Sequence, residues 1–207
     1  MLVNLSVKEF LAKTAGNDPV PGGGSIAALN AAIASALTEM VANLTIGKKK
    51  YEDKEALMKK IVGIANNYQV SFIKDIDSDS DAYNTVFNAF RLPKETEEEK
   101  AERSGQIQAA TKIAAEIPME VARKAVDIMD IIEQVSENGN QNAITDACVA
   151  MMTARTAVLG AILNVKINLS SIKDIEYVAL MRQEANYLES EAIAKEQKLL
   201  CKMSKIL

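Results

Sequence analysis

Two segments of the chain carry apolar and small residues on every side of a helix, whereas several others confine them to one stripe. The first is Ile26–Leu44, rich in Ala with Leu, Ile, Met and Val around it and Glu39 as its single charge. The second covers residues 143–165, where Asp146 and Arg155 are the only charges. A helix that is apolar all round belongs in the interior. Small residues at Ala27, Ala31 and Ala34, and at Ala154, Ala157 and Ala161, allow two such helices to approach closely.

The striped segments surround these two. Ser6 to Glu9 is a capping-box pattern that opens a short helix to about Ala15. Leu57, Ile61, Ile64, Tyr68, Phe72, Ile76, Asp79, Tyr83, Val86 and Phe90 recur at steps of three or four, the signature of one long helix. Asp79 falls on that stripe; Asp77 and Asp81 lie roughly 160° round from it. After Leu92-Pro93, the Thr96–Glu99 pattern opens a helix to about Ile117, and Pro118 predicts the start of another ending near Asn138-Gly139. A polar turn at Asn140–Asn142 precedes the second apolar helix, Asn168 is expected in a break after it, and a cap at Ser171–Asp174 opens a last amphipathic helix. No segment alternates convincingly as a strand. The expectation is a single all-α domain over residues 1–207: about seven helices, as an orthogonal or up-down bundle with two central Ala-rich helices, dimerising through helices.

Composition narrows the classes. Aromatic residues make up only 4% and Trp is absent, so the core is built from Ala, Leu, Ile, Val and Met. A net charge of −4 provides no basic field for a nucleic-acid backbone. Residues 26–44 approach membrane-spanning length, but Asn30, Thr38, Glu39 and Asn43 interrupt them, which favours a buried helix over a span. Cys148 and Cys201 make no disulfide framework, and with no secretory leader the expected location is cytoplasmic. The chain has no His, so proton transfer falls to Asp, Glu, Lys, Tyr or Cys, and no metal site is expected. Asp77-x-Asp79-x-Asp81 fails as a calcium loop, because Ala82 and Asn88 replace the required Gly and Glu.

The candidate chemistry begins with Gly22, Gly23 and Gly24. Pro19 and Pro21 flank this loop and Ser25 is the expected N-cap, so backbone N–H groups there could meet an anionic or carbonyl-bearing group. Asp79 puts a carboxylate where a leucine is expected; such a group is either paired, with Arg155 for instance, or functional. Asp146 sits near a helix start, where the dipole stabilises a carboxylate with or without a further role. Lys48, Lys49 and Lys50 follow Gly47 at the negative end of the first apolar helix.

The stretch PGGGSIAALNAAIASALTEMVANLTIGKKKY, then DSDSDAYNTVFNAFRLPKETEEEKAER, IPMEVA and NQNAITDACVAMMTARTAVLGAILNVKINL, resembles the formiminotransferase-cyclodeaminase family in its cyclodeaminase and methenyltetrahydrofolate cyclohydrolase branch. The resemblance covers about residues 6–176. It implies an all-helical homodimer with a folate site near the subunit interface, no separate cofactor, and a tetrahydrofolate derivative, in polyglutamylated form, as substrate. By position it implies loop glycines at Gly22, Gly23 and Gly24 followed by Ser25, a lysine run at Lys48–Lys50, acids at Asp79 and Asp146, and asparagines at Asn142, Asn164 and Asn168. The leading implied activity is hydrolysis of 5,10-methenyltetrahydrofolate to 10-formyltetrahydrofolate. The alternatives are release of ammonia from 5-formiminotetrahydrofolate and a non-catalytic folate-binding or interaction protein. In either reaction Asp79 and Asp146 are the expected catalytic carboxylates, Asp79 as the proton acceptor; the asparagines and Asp146 are also the expected pterin partners, and the lysines the attraction for the glutamate tail.

Overall fold

The computed structural model describes residues 1–205 and is helical throughout its regular elements. Among the described residues six α-helices occur: α1 (Val7–Thr14), α2 (Gly23–Asn43), α3 (Glu55–Phe90), α4 (Glu97–Asn138), α5 (Ile144–Leu169) and α6 (Ile175–Met203). Both expected capping boxes form. Ser6 accepts from the Glu9 N–H while the Glu9 carboxylate accepts from the Ser6 N–H, and Thr96 and Glu99 repeat this at α4. At α6 the cap is Asp174, whose side chain accepts from the Tyr177 N–H at 3.1 Å.

The apolar helices α2 and α5 lie side by side at the centre, with α3 and α4 packed against them and α6 against α4 and α5. Their contact is as close as the small residues predict: Ala27, Ala31, Ala34, Ala154, Ala157 and Ala161 are buried, and a Cβ on Gly160 would stand 3.4 Å from that of Ala27. The two run antiparallel. Gly23 at the start of α2 meets Asn164 near the end of α5, while Leu44 and Thr45 beyond its end bond to Asn140 ahead of α5.

Both helices are also long and apolar enough to cross a membrane, but about half of each faces the inside of the fold. Each keeps an apolar stripe on its outer side: Ile33 and Met40 on α2, continued by Leu44 just past its end; Val149, Met152, Leu163 and Ile167 on α5.

Two expectations are corrected. Pro118 does not begin a helix but lies within the unbroken 42-residue α4. A proline inside a helix costs about 3 kcal/mol or more through its missing N–H and its clash with the carbonyl four residues back. Here that carbonyl, Ala114, has another donor, the Asn168 side chain at 2.8 Å. Asn168 is not in a break either, because α5 continues to Leu169 and sets Asn164 and Asn168 four apart on one face. Asp77, round the helix from the stripe of Asp79, also finds a partner. It is half-buried, and its Oδ1 accepts from the Leu2 N–H at 2.5 Å, tying the N-terminal turn to α3.

Candidate active site

The start of α2, the middle of α3 and the end of α5 converge on a cavity of about 350 Å³. The Pro19–Gly24 loop, in which the Val20–Pro21 bond is cis, covers it; Asp79, Tyr83, Asn164 and Asn168 line it. The helix cap is Gly22 rather than Ser25, because the Ser25 side chain is engaged elsewhere. Its Oγ lies fully buried, 2.9 Å from the Ile76 carbonyl, 3.1 Å from Asp79 Oδ2 and 3.1 Å from Ser80 Oγ. One hydroxyl hydrogen therefore chooses between a backbone carbonyl and the Asp79 carboxylate. The glycines are required by proximity. A Cβ on Gly24 would fall on the Asp79 carboxylate, 2.7 Å from its Oδ2, and one on Gly23 would press to 3.1 Å against Asn164 Nδ2.

Asp79 makes no salt bridge among the described residues. Arg155, the cation that would have explained it structurally, stands 3.3 Å from Glu196 on α6 instead. Burial pushes the Asp79 carboxyl above the usual carboxylate range, and the hydroxyl and backbone N–H of Ser25 pull it partly back. The result is an unpaired carboxylate with raised basicity, open to a cavity: the arrangement of a proton acceptor. Replacing Ser25 by Ala removes one donor to the charged form. The acidic limb of the activity profile is then expected to move to higher pH, which a pH titration of kcat checks; an unmoved limb contradicts the role given to that hydroxyl.

The remaining candidates lie elsewhere in the chain. Asp146 and Asn164 are both on α5, and 18 residues at 1.5 Å each separate them by about 27 Å. Asp146 is half-buried in the first turn of α5, and Asn142 is exposed just before it. Lys48, Lys49 and Lys50 are exposed beside them, since the Tyr51 hydroxyl accepts from the Gln141 N–H at 3.1 Å. Within one chain, therefore, Asp146, Asn142 and the lysines cannot act on a group held at Asp79. The antiparallel course of α2 and α5 places them at the opposite end of the bundle. Val20, Val86 and Ile167, none of them a site candidate from the sequence, complete the apolar wall. The proline spacing of the loop was the only local sign of the first.

An all-helical bundle whose glycine loop lies over an unpaired carboxylate offers a cavity of small-molecule size, in a chain without histidines. The model of the Formiminotransferase-cyclodeaminase family matches residues 6–187, and the chain belongs to that family. It is 37% identical to the methenyltetrahydrofolate cyclohydrolase of Methylorubrum extorquens over 199 residues, 96% of each chain. It is 30% identical to the formimidoyltransferase-cyclodeaminase of Gallus gallus over 92% of this chain, which spans 35% of the length of that protein. The crystal structure of the formiminotetrahydrofolate cyclodeaminase of Thermotoga maritima superimposes with a TM-score of 0.89 at 32% identity, covering 100% of this chain and 99% of the other.

Proposed function

We propose that the protein is a methenyltetrahydrofolate cyclohydrolase acting as a homodimer. The observation that carries this reading is Asp79, a carboxylate with raised basicity and no cation, in a cavity sized for a fused ring. Its substrate would carry the cation that the chain does not supply. Similarity over nearly the full length to a cyclohydrolase supports the same choice.

The chemistry follows from the charge. The 5,10-methenyl bridge is a delocalised amidinium carbon. Ionised Asp79 beside it favours binding of the cation and takes one proton from the attacking water, so that hydroxyl adds to the bridge carbon. The resulting neutral tetrahedral adduct collapses as its C–N5 bond breaks. The proton held on Asp79 passes to N5, the hydroxyl proton leaves to solvent, and 10-formyltetrahydrofolate is released with one net proton. The cyclodeaminase reading uses the same carboxylate to move a proton to departing ammonia, and the likeness to the Thermotoga protein favours it. Loss of methenyl-folate absorbance against ammonia release from formimino-folate separates the two. An enzyme doing neither would leave only a binding protein.

A second copy would complete the site. The α5 stripe runs to Ile167, which is 67% exposed and also lines the cavity, so the mouth opens onto the apolar face. An isologous dimer across this face, with a twofold axis crossing the antiparallel helices near their middle, would bring each copy's Lys48–Lys50, Asn142 and Asp146 toward the other's Asp79. There the lysines would meet the glutamate tail of a polyglutamylated folate. Changing all three to Gln is expected to raise KM for a polyglutamate roughly tenfold while leaving the monoglutamate little changed. Steady-state kinetics with both substrates check this, and equal effects refute it.

A further inference from the structure

Pro118 has no N–H, so the Ala114 carbonyl in the preceding turn of α4 lacks its helical donor. It turns instead to α5, where Asn168 Nδ2 donates to it at 2.8 Å and donates its other hydrogen to the Asn164 carbonyl at 3.0 Å. Both partners are carbonyl oxygens and can only accept. The Asn168 amide therefore fits in one orientation, with its NH2 consumed by the protein. Asn168 and Ala114 both line the Asp79 cavity, and the polar atom that Asn168 leaves for an occupant is Oδ1.

We propose that Pro118 is a positioning residue: by withdrawing one bond from α4 it locks the Asn168 amide and turns Oδ1 into a fixed acceptor for an N–H donor of the ligand. The identity of that donor rests on the function proposed above, in which the pterin ring presents a ring N–H and an amino group. A fixed acceptor selects such an edge over one that presents acceptors, because an acceptor placed there would leave two oxygens facing each other unpaired. Repair of a proline defect alone would need only a donor of the right reach. It would not require that the repaired residue also bind ligand.

The Pro118→Ala variant separates the two accounts. Ala restores an N–H to position 118, Ala114 regains a backbone donor, and the Asn168 amide loses its strongest anchor. The variant is expected to melt at the same or a higher temperature than the wild type and to keep kcat within about twofold, while KM for methenyltetrahydrofolate rises roughly tenfold. Asn168→Leu is expected to raise KM comparably, and the double variant to add little to either. Side-chain amide exchange with water, followed by NMR, reads the lock without any substrate: slow for Asn168 in the wild type and at least about tenfold faster in Pro118→Ala. Unchanged exchange and unchanged KM in Pro118→Ala overturn the proposal, as do fully additive effects in the double variant. If the wild type fails to turn over folate but exchange responds as stated, the functional reading falls while the lock stands.

Discussion

Replacing Asp79 by Asn is expected to lower kcat about a thousandfold while leaving a folded protein that melts no earlier than the wild type. The first half follows from general base catalysis, which contributes roughly 10²–10⁴-fold when the base is positioned. Asn keeps the shape and can still accept from the Ser25 N–H, but it cannot take a proton from water. The second half follows from the direction of the titration. Burial raises the Asp79 carboxyl in the folded chain, so folding favours the protonated form. Its contribution to stability is fully present below the unfolded value of about 3.9 and is lost as pH rises through the raised folded value. Above that folded value the ionised carboxylate is a burden on the fold, kept despite it, and its neutral isostere removes that burden. Activity and melting temperature, measured together, distinguish this from a buried ion pair, where the same substitution would cost stability. In the wild type, turnover should fall with decreasing pH through a midpoint above the ordinary carboxylate range.

Gly24→Ala is expected to reduce turnover at least about a hundredfold with no change to any ionisable group. The added methyl would occupy the space of the Asp79 carboxylate, so either α2 retreats from α3 or the side chain swings out of the cavity. Displacing a reacting group by about 1 Å is enough for that loss, and accommodating a methyl in a filled space costs about 1–3 kcal/mol besides. Because both glycines follow the Gly22 cap with ordinary helical backbone, no special backbone angle is at stake. Gly23→Ala meets only the tip of Asn164 and should be milder. Kinetics of the two variants side by side check the order; equal losses would contradict the claim that Gly24 is small for the sake of Asp79.

Much of the fold was legible because its signals are local. The capping boxes at Ser6 and Thr96 need only three residues to specify, and both helices start there. The polarity of residues 26–44 and 143–165 was enough to place α2 and α5 at the centre. Pro118 misled because the rule for proline assumes that the orphaned carbonyl stays orphaned, and its donor lies 54 residues away on α5. Ser25 misled for a similar reason: its hydroxyl serves Ile76, Asp79 and Ser80, more than 50 residues on, rather than its own helix. Asp79 was visible as a carboxylate on an apolar stripe. Which other candidates share its cavity was not visible, since residue spacing does not reveal which ends of two long helices meet. Asn164 and Asn168 joined it; Asp146, Asn142 and the lysines fell at the far end. The outer stripes of α2 and α5 explain why both helices read as apolar all round although only half of each is covered by the chain itself.

The central claim is that the one-carbon bridge of the folate sits against Asp79 beneath the glycine loop. A crystal structure of the protein with 5-formyltetrahydrofolate, a stable relative of the reacting species, tests it most directly. The formyl carbon is predicted within about 4 Å of an Asp79 carboxylate oxygen, close enough for one bridging water. A ligand bound with that carbon against another carboxylate, or outside the cavity altogether, would contradict the account.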